Sequence, residues 1–160
     1  MTGAEELIAL LVERGATIAT AESLTGGALC AALVDVPGAS AAVRGGVVSY
    51  TADMKRRLLG VPAGLIEESG VVSEEVAEAM AAGVRDVSGA TLGVATTGVA
   101  GPASHGGREP GTVCLAVCGP RGAVGVTMHL AGGRAAVRAA AVEEAIALAI
   151  DALDADVTVL

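Results

Sequence analysis

Five short apolar runs punctuate this chain, at residues 17–22, 45–50, 91–96, 113–118 and 123–130, and the first three are separated by helix-like stretches. Runs of that length, bounded by Gly, Pro and polar residues, are buried strands. Strands that alternate with helices pack as a parallel sheet covered on both faces. The last two runs flank Gly119-Pro120-Arg121-Gly122, a turn sequence that makes them an antiparallel hairpin. The expectation is an α/β chain, a three-layer α/β/α sandwich with a mixed β-sheet, folded as a single domain over residues 1–160.

The helical stretches carry their own boundary signals. Thr2 with Glu5 three residues on is a capping box, opening a helix that ends near Gly15. Ser23-Leu24-Thr25-Gly26-Gly27 is a turn into a second helix, stopped by Pro37-Gly38 after Val36. Thr51 caps a third helix through Leu59, before Gly60 and Pro62. Ser73 caps a fourth to about Val87, with Glu74 and Glu75 in its first turn where the helix dipole favours them. A Gly-rich loop runs from Thr97 to Gly111, and a final helix covers Arg134 to Leu153.

Composition narrows the function classes. Hydrophobic residues make up 52% of the chain and mean hydropathy is +0.64, yet charged residues and Gly interrupt every run before about 18 apolar positions. No membrane span is expected. Glu5 and Glu6 stand where a signal peptide carries positive charge, which makes the cytoplasm the expected location. The net charge of −8 argues against a nucleic-acid partner, because phosphate-backbone binding needs a basic face. A small anion remains possible at a helix N-terminus. Cys30, Cys114 and Cys118 read as buried thiols, and His105 and His129 form no metal-ligand pattern, so neither metal nor cofactor is expected. Apolar richness with few aromatics points to a homo-oligomer, expected as a dimer.

Three polar strand ends, Glu22-Ser23, Ser49-Tyr50 and Thr96-Thr97, fall where open α/β sheets bind ligands. Of ten basic residues, Lys55 is the one lysine, and Tyr50 is the one aromatic in a chain without Phe or Trp. Arg keeps its proton in proteins, whereas a desolvated Lys can lose it and act as a base. The plainer alternative is a surface Lys and a strand-capping Tyr. Ser23 reads either as a helix N-cap or as a nucleophile, its hydroxyl exposed by a strand-to-helix turn with free N–H groups nearby for an oxyanion. His105 offers a second, weaker partner for Ser23.

These residues lie in recognisable motifs. Ala21-Glu22-Ser23-Leu24-Thr25-Gly26-Gly27 resembles the AES-x-TGG signature of the competence-damage-inducible protein C-terminal domain family. Gly45-Gly46-Val47-Val48-Ser49-Tyr50 with Lys55 is similar to its second motif, and Ser73-Glu74-Glu75-Val76-Ala77 to its VSEEVA helix start. Thr97-Gly98-Val99-Ala100-Gly101-Pro102 with Gly111-Thr112-Val113, and Gly133-Arg134 with Arg138, resemble its later elements in the same order. The resemblance covers about residues 4 to 153. It departs at Leu24, where the family commonly has Cys, at Ala103, where it has Asp, and in a loop to Gly111 that is one residue short.

The resemblance implies a nicotinamide mononucleotide amidohydrolase that forms nicotinate mononucleotide and ammonia. The family's serine, tyrosine and lysine fall on Ser23, Tyr50 and Lys55, with Lys55 taking the Ser23 proton directly or through Tyr50. Substrate-binding positions are expected at Thr25, Gly26, Gly27, Thr97, Gly98 and Gly101, with the phosphate near Arg134 or Arg138. A silent member that binds a nucleotide or a protein, and a Ser-Lys amidase for another small carboxamide, are the alternatives.

Overall fold

The computed structural model describes residues 1–155. A five-stranded mixed sheet of order β2-β1-β3-β4-β5 forms its centre. β1 (Ile18–Glu22) pairs parallel with β2 (Val43–Val48) and with β3 (Leu92–Gly98). β4 (Thr112–Gly119) and β5 (Gly122–His129) add antiparallel ladders, so the sequence-predicted hairpin and mixed sheet are both present.

Helices α1 (Gly3–Glu13), α2 (Ala28–Val34) and α6 (Arg134–Asp154) cover one face. On the other lie α3 (Ala52–Leu59), α4 (Ala63–Ser69) and α5 (Glu74–Ser88). No helix among the described residues is long and apolar enough to cross a membrane. The Thr2–Glu5 capping box forms, and Thr51 and Ser73 accept the N-cap hydrogen bonds that their positions predicted. α4 was not legible in the sequence: it spans two turns behind Pro62 and buries no residue completely, so it lacks a strong apolar stripe. β2 also runs earlier than expected, stopping at Val48, because Ser49 and Tyr50 already turn away toward α3.

The two faces of the sheet differ in side-chain size. Ile18, Leu92, Val94, Val113, Leu115 and Val117 point toward α1, α2 and α6. Ala19, Ala21, Ala95, Cys114, Ala116 and Cys118 point toward α5. On that second side the layers touch at backbone level. A Cβ at Gly93 would sit 2.0 Å from Ala81 O of α5, and one at Gly83 of α5 would sit 2.0 Å from Leu59 O of α3. Close approach of this kind requires glycine.

At the carboxyl end of β1 the chain must turn sharply into α2, and Glu22 holds that turn. Its side chain is wholly buried and accepts five hydrogen bonds: from Thr20 and Thr25 hydroxyls and from the N–H groups of Gly27, Leu29 and Cys30. A buried carboxylate persists only where such donors replace its hydration. Glu22→Gln keeps the shape but presents an amide NH2 to donors. The Thr20 hydroxyl can rotate to accept, whereas the Cys30 N–H cannot. The variant is expected to lose about 2–4 kcal/mol of stability, read as a lower thermal midpoint.

Candidate active site

Because β1, β2 and β3 are parallel, their carboxyl ends lie side by side. Ser23 follows β1 directly, and its N–H donates to Thr96 O of β3 at 3.0 Å. Ser49 follows β2, and its N–H donates to Glu22 O at 2.8 Å. Thr51 then caps α3, and one turn later Lys55 points back under the sheet edge.

Lys55 Nζ donates to Ser23 Oγ at 2.9 Å, to Ser49 O at 2.8 Å and, at a longer 3.4 Å, to Tyr50 O. Only 2% of Lys55 is exposed, and no described carboxylate lies within ion-pair distance of it. Its acceptors satisfy the ammonium N–H groups geometrically, but none offers a compensating charge. Burial therefore lowers the Lys55 pKa from the ordinary 10.5 to about 8. The surface-lysine reading does not hold.

Ser23 and Lys55 open onto a cavity of about 550 Å³ that Tyr50, Thr97, Gly98, Gly101 and Arg134 also line. Val71, Val72 and Val99 supply apolar wall, and His105 lies on the rim. Among the described residues no Asp or Glu lines this space; the basic side chains that do are Lys55, Arg134 and His105. Arg134 stretches across the mouth, donating from Nη1 to Gly101 O at 2.8 Å and from Nη2 to Tyr50 Oη at 3.2 Å. Thr97 is anchored in the wall by its hydroxyl, which donates to Val71 O at 2.8 Å.

Tyr50 is 60% exposed, and its hydroxyl meets Arg134 rather than Ser23 or Lys55. Contact between the Lys55 amine and the Ser23 hydroxyl is thus direct, without the phenol between them. Ser23 Oγ bonds to Lys55 and makes no hydrogen bond to His105.

The remaining sequence-predicted positions, Thr25, Gly26, Gly27 and Arg138, do not line the cavity; they build the turn that carries Ser23. Thr25 Oγ1 lies 2.7 Å from Glu22 and 2.8 Å from Thr96 Oγ1. Gly26 N–H donates to Ser23 O, and both Gly26 (φ 60) and Gly27 (φ 101) occupy backbone conformations that favour glycine. Arg138 donates to Leu24 O at 2.8 Å and Thr25 O at 3.1 Å, clamping the turn from α6. The N–H groups of Gly26 and Gly27 are already committed, whereas those of Leu24 and Thr25 donate to no described protein group. Sequence reasoning quoted Glu22 in a motif but assigned it no part. Its signal was a lone acid ending an apolar strand, directly before the serine.

Comparison with known proteins places the fold and the motifs in one family. The CinA C-terminal domain family profile matches residues 2–153. A CinA-like protein of Frankia casuarinae is 51% identical over 142 residues, which is 89% of this chain and 33% of that relative. Another from Anaeromyxobacter sp. (strain K) is 47% identical over 145 residues, 90% of this chain and 36% of the relative. This chain spans about a third of the length of these curated relatives. A crystal structure of a competence-damaged protein (CinA) superfamily protein from Klebsiella pneumoniae superposes with a TM-score of 0.90 at 33% identity, covering 95% of this chain and 98% of that one. A superfamily structure from Escherichia coli gives 0.89 at 32% identity, covering 92% and 88%. On motif order, fold and similarity together, this chain belongs to the CinA C-terminal domain family.

Proposed function

We propose that this protein hydrolyses the carboxamide of nicotinamide mononucleotide through an acyl-enzyme on Ser23, with Lys55 as general base. The observation that carries the reading is the 2.9 Å contact between Ser23 Oγ and a buried lysine without a counterion. A base whose pKa lies near working pH takes a proton readily and returns it in the next step.

In the forward direction neutral Lys55 takes the Ser23 proton as Oγ bonds to the carboxamide carbon. The oxyanion forms beside Leu24, whose free N–H is the nearest backbone donor after the nucleophile. The C–N bond then breaks, and the nitrogen leaves as ammonia with the proton that Lys55 held. Water attacks the acyl-enzyme, Lys55 accepts its proton, and Ser23 departs from the carbonyl carbon with that proton as nicotinate mononucleotide is released. Substrate selection follows from charge: a cavity lined by basic groups and, among the described residues, by no carboxylate, within a chain of net charge −8, favours an anionic ligand. Arg134 at the mouth is the phosphate contact, since its guanidinium is held there by neutral acceptors alone.

Ser23→Ala is expected to abolish ammonia release while leaving the thermal midpoint near that of the parent protein. Unchanged release in that variant would reject the mechanism, and failure of the parent protein to deaminate the nucleotide would reject the substrate. In the parent protein kcat/KM should rise tenfold per pH unit at low pH and level off above about 8, as Lys55 loses its proton.

Lys55 also makes stability depend on pH. The unfolded chain holds the lysine proton up to about 10.5, the folded chain only to about 8. Between those values the unfolded state binds more protons, so the stability contribution rises with pH across that window and is least favourable below 8. Lys55→Met should therefore be inactive yet more stable at pH 7, by up to about 3 kcal/mol, and should lose the rise between pH 8 and 10.5 in denaturant titrations.

A further inference from the structure

The substrate class proposed above carries two charges, an anionic phosphate and a cationic pyridinium ring, and this inference rests on that reading. Arg134 answers the first charge. Among the described residues nothing acidic lines the cavity to answer the second, and Lys55 and Arg134 both oppose it. The cavity does hold the chain's one phenol ring. Tyr50 reaches from a backbone carbonyl 3.4 Å from Lys55 Nζ to a hydroxyl 3.2 Å from Arg134 Nη2, so the ring bridges the reacting end and the mouth. Tyr50 is 60% exposed, so much of that ring is open to a ligand.

We propose that the face of Tyr50 receives the substrate's ring and selects a positively charged pyridinium carboxamide over its neutral counterpart, while the Tyr50 hydroxyl orients Arg134 instead of relaying a proton. An aromatic face attracts a cation through its quadrupole and does so more strongly where water is excluded. It also accepts a flat ring without adding a carboxylate, which would repel the phosphate and form an ion pair with Lys55. A buried partner of that kind would raise the lysine pKa and weaken it as a base near neutral pH. An uncharged π face avoids both effects.

The test compares nicotinamide mononucleotide with its reduced dihydropyridine form, which has the same ribose, phosphate and carboxamide but an uncharged ring. Binding is measured by calorimetry on Ser23→Ala, so that neither compound turns over. The oxidised form should bind more tightly by on the order of tenfold, within the range of a partly desolvated cation–π contact. Adding Tyr50→Leu should remove that preference, and adding Tyr50→Phe should keep it, since Phe retains the face and loses the hydroxyl. Turnover supplies a second readout: in the otherwise unaltered enzyme, Tyr50→Leu should raise KM by a larger factor than it lowers kcat.

Equal affinity for the two forms in Ser23→Ala, or a preference that survives Tyr50→Leu, overturns the assignment while leaving the amidohydrolase reading intact. Loss of the preference in Tyr50→Phe overturns it in favour of recognition by the hydroxyl, and a Tyr50→Leu defect confined to kcat overturns it in favour of a chemical part for the side chain. If neither compound binds and the parent protein releases no ammonia, the substrate reading itself fails and this inference fails with it.

Discussion

The two carboxylate oxygens of Glu22, sealed from solvent at the last residue of β1, gather five donors from the chain between Thr20 and Cys30. That arrangement makes a short helix start at Ala28 without a side-chain N-cap of its own, because the acid below supplies the acceptor. It also fixes the turn that lifts Ser23 to the end of the sheet and leaves the Leu24 N–H free. Arg138 closes the same turn from α6 by taking its carbonyls. Acid below and guanidinium above hold one loop by its donors and its acceptors respectively.

Glu22 and Lys55 are both buried ionisable groups, treated in opposite ways. The acid is saturated with donors and does no chemistry in the proposed mechanism. The lysine is given neutral acceptors alone, and burial weakens its hold on a proton. The same physics thus acts with reversed sign: full compensation makes a structural post, and under-compensation leaves an amine that gives up its proton more readily, at some cost to stability.

Much of this was legible in the chain. Alternating apolar runs and caps gave the layers, and the single lysine and single tyrosine stood out against nine arginines and an aromatic-free core. What sequence could not convey was direction. Thr25, Gly26, Gly27 and Arg138 share motifs with the serine, but their polar groups turn inward to the loop, because a tight turn consumes donors and acceptors before any ligand can. Tyr50 posed the converse problem. It lies five residues before Lys55 in sequence, yet its side chain turns outward to Arg134 and only its carbonyl faces the amine. Helix α4 went unread because it is short and buries no residue completely.

The glycines at 83 and 93 set α3, α5 and the sheet in contact through peptide groups instead of interdigitated side chains. Peptide planes have no rotamers to exchange, so the spacing between these layers behaves as a fixed ruler. Lys55 lies one turn from the Leu59 carbonyl that abuts Gly83, and its reach to Ser23 is measured against that ruler. Repacking of neighbouring residues therefore has little leverage on the gap between amine and hydroxyl. Closing or widening it requires the helix pair to slide as a body against the sheet.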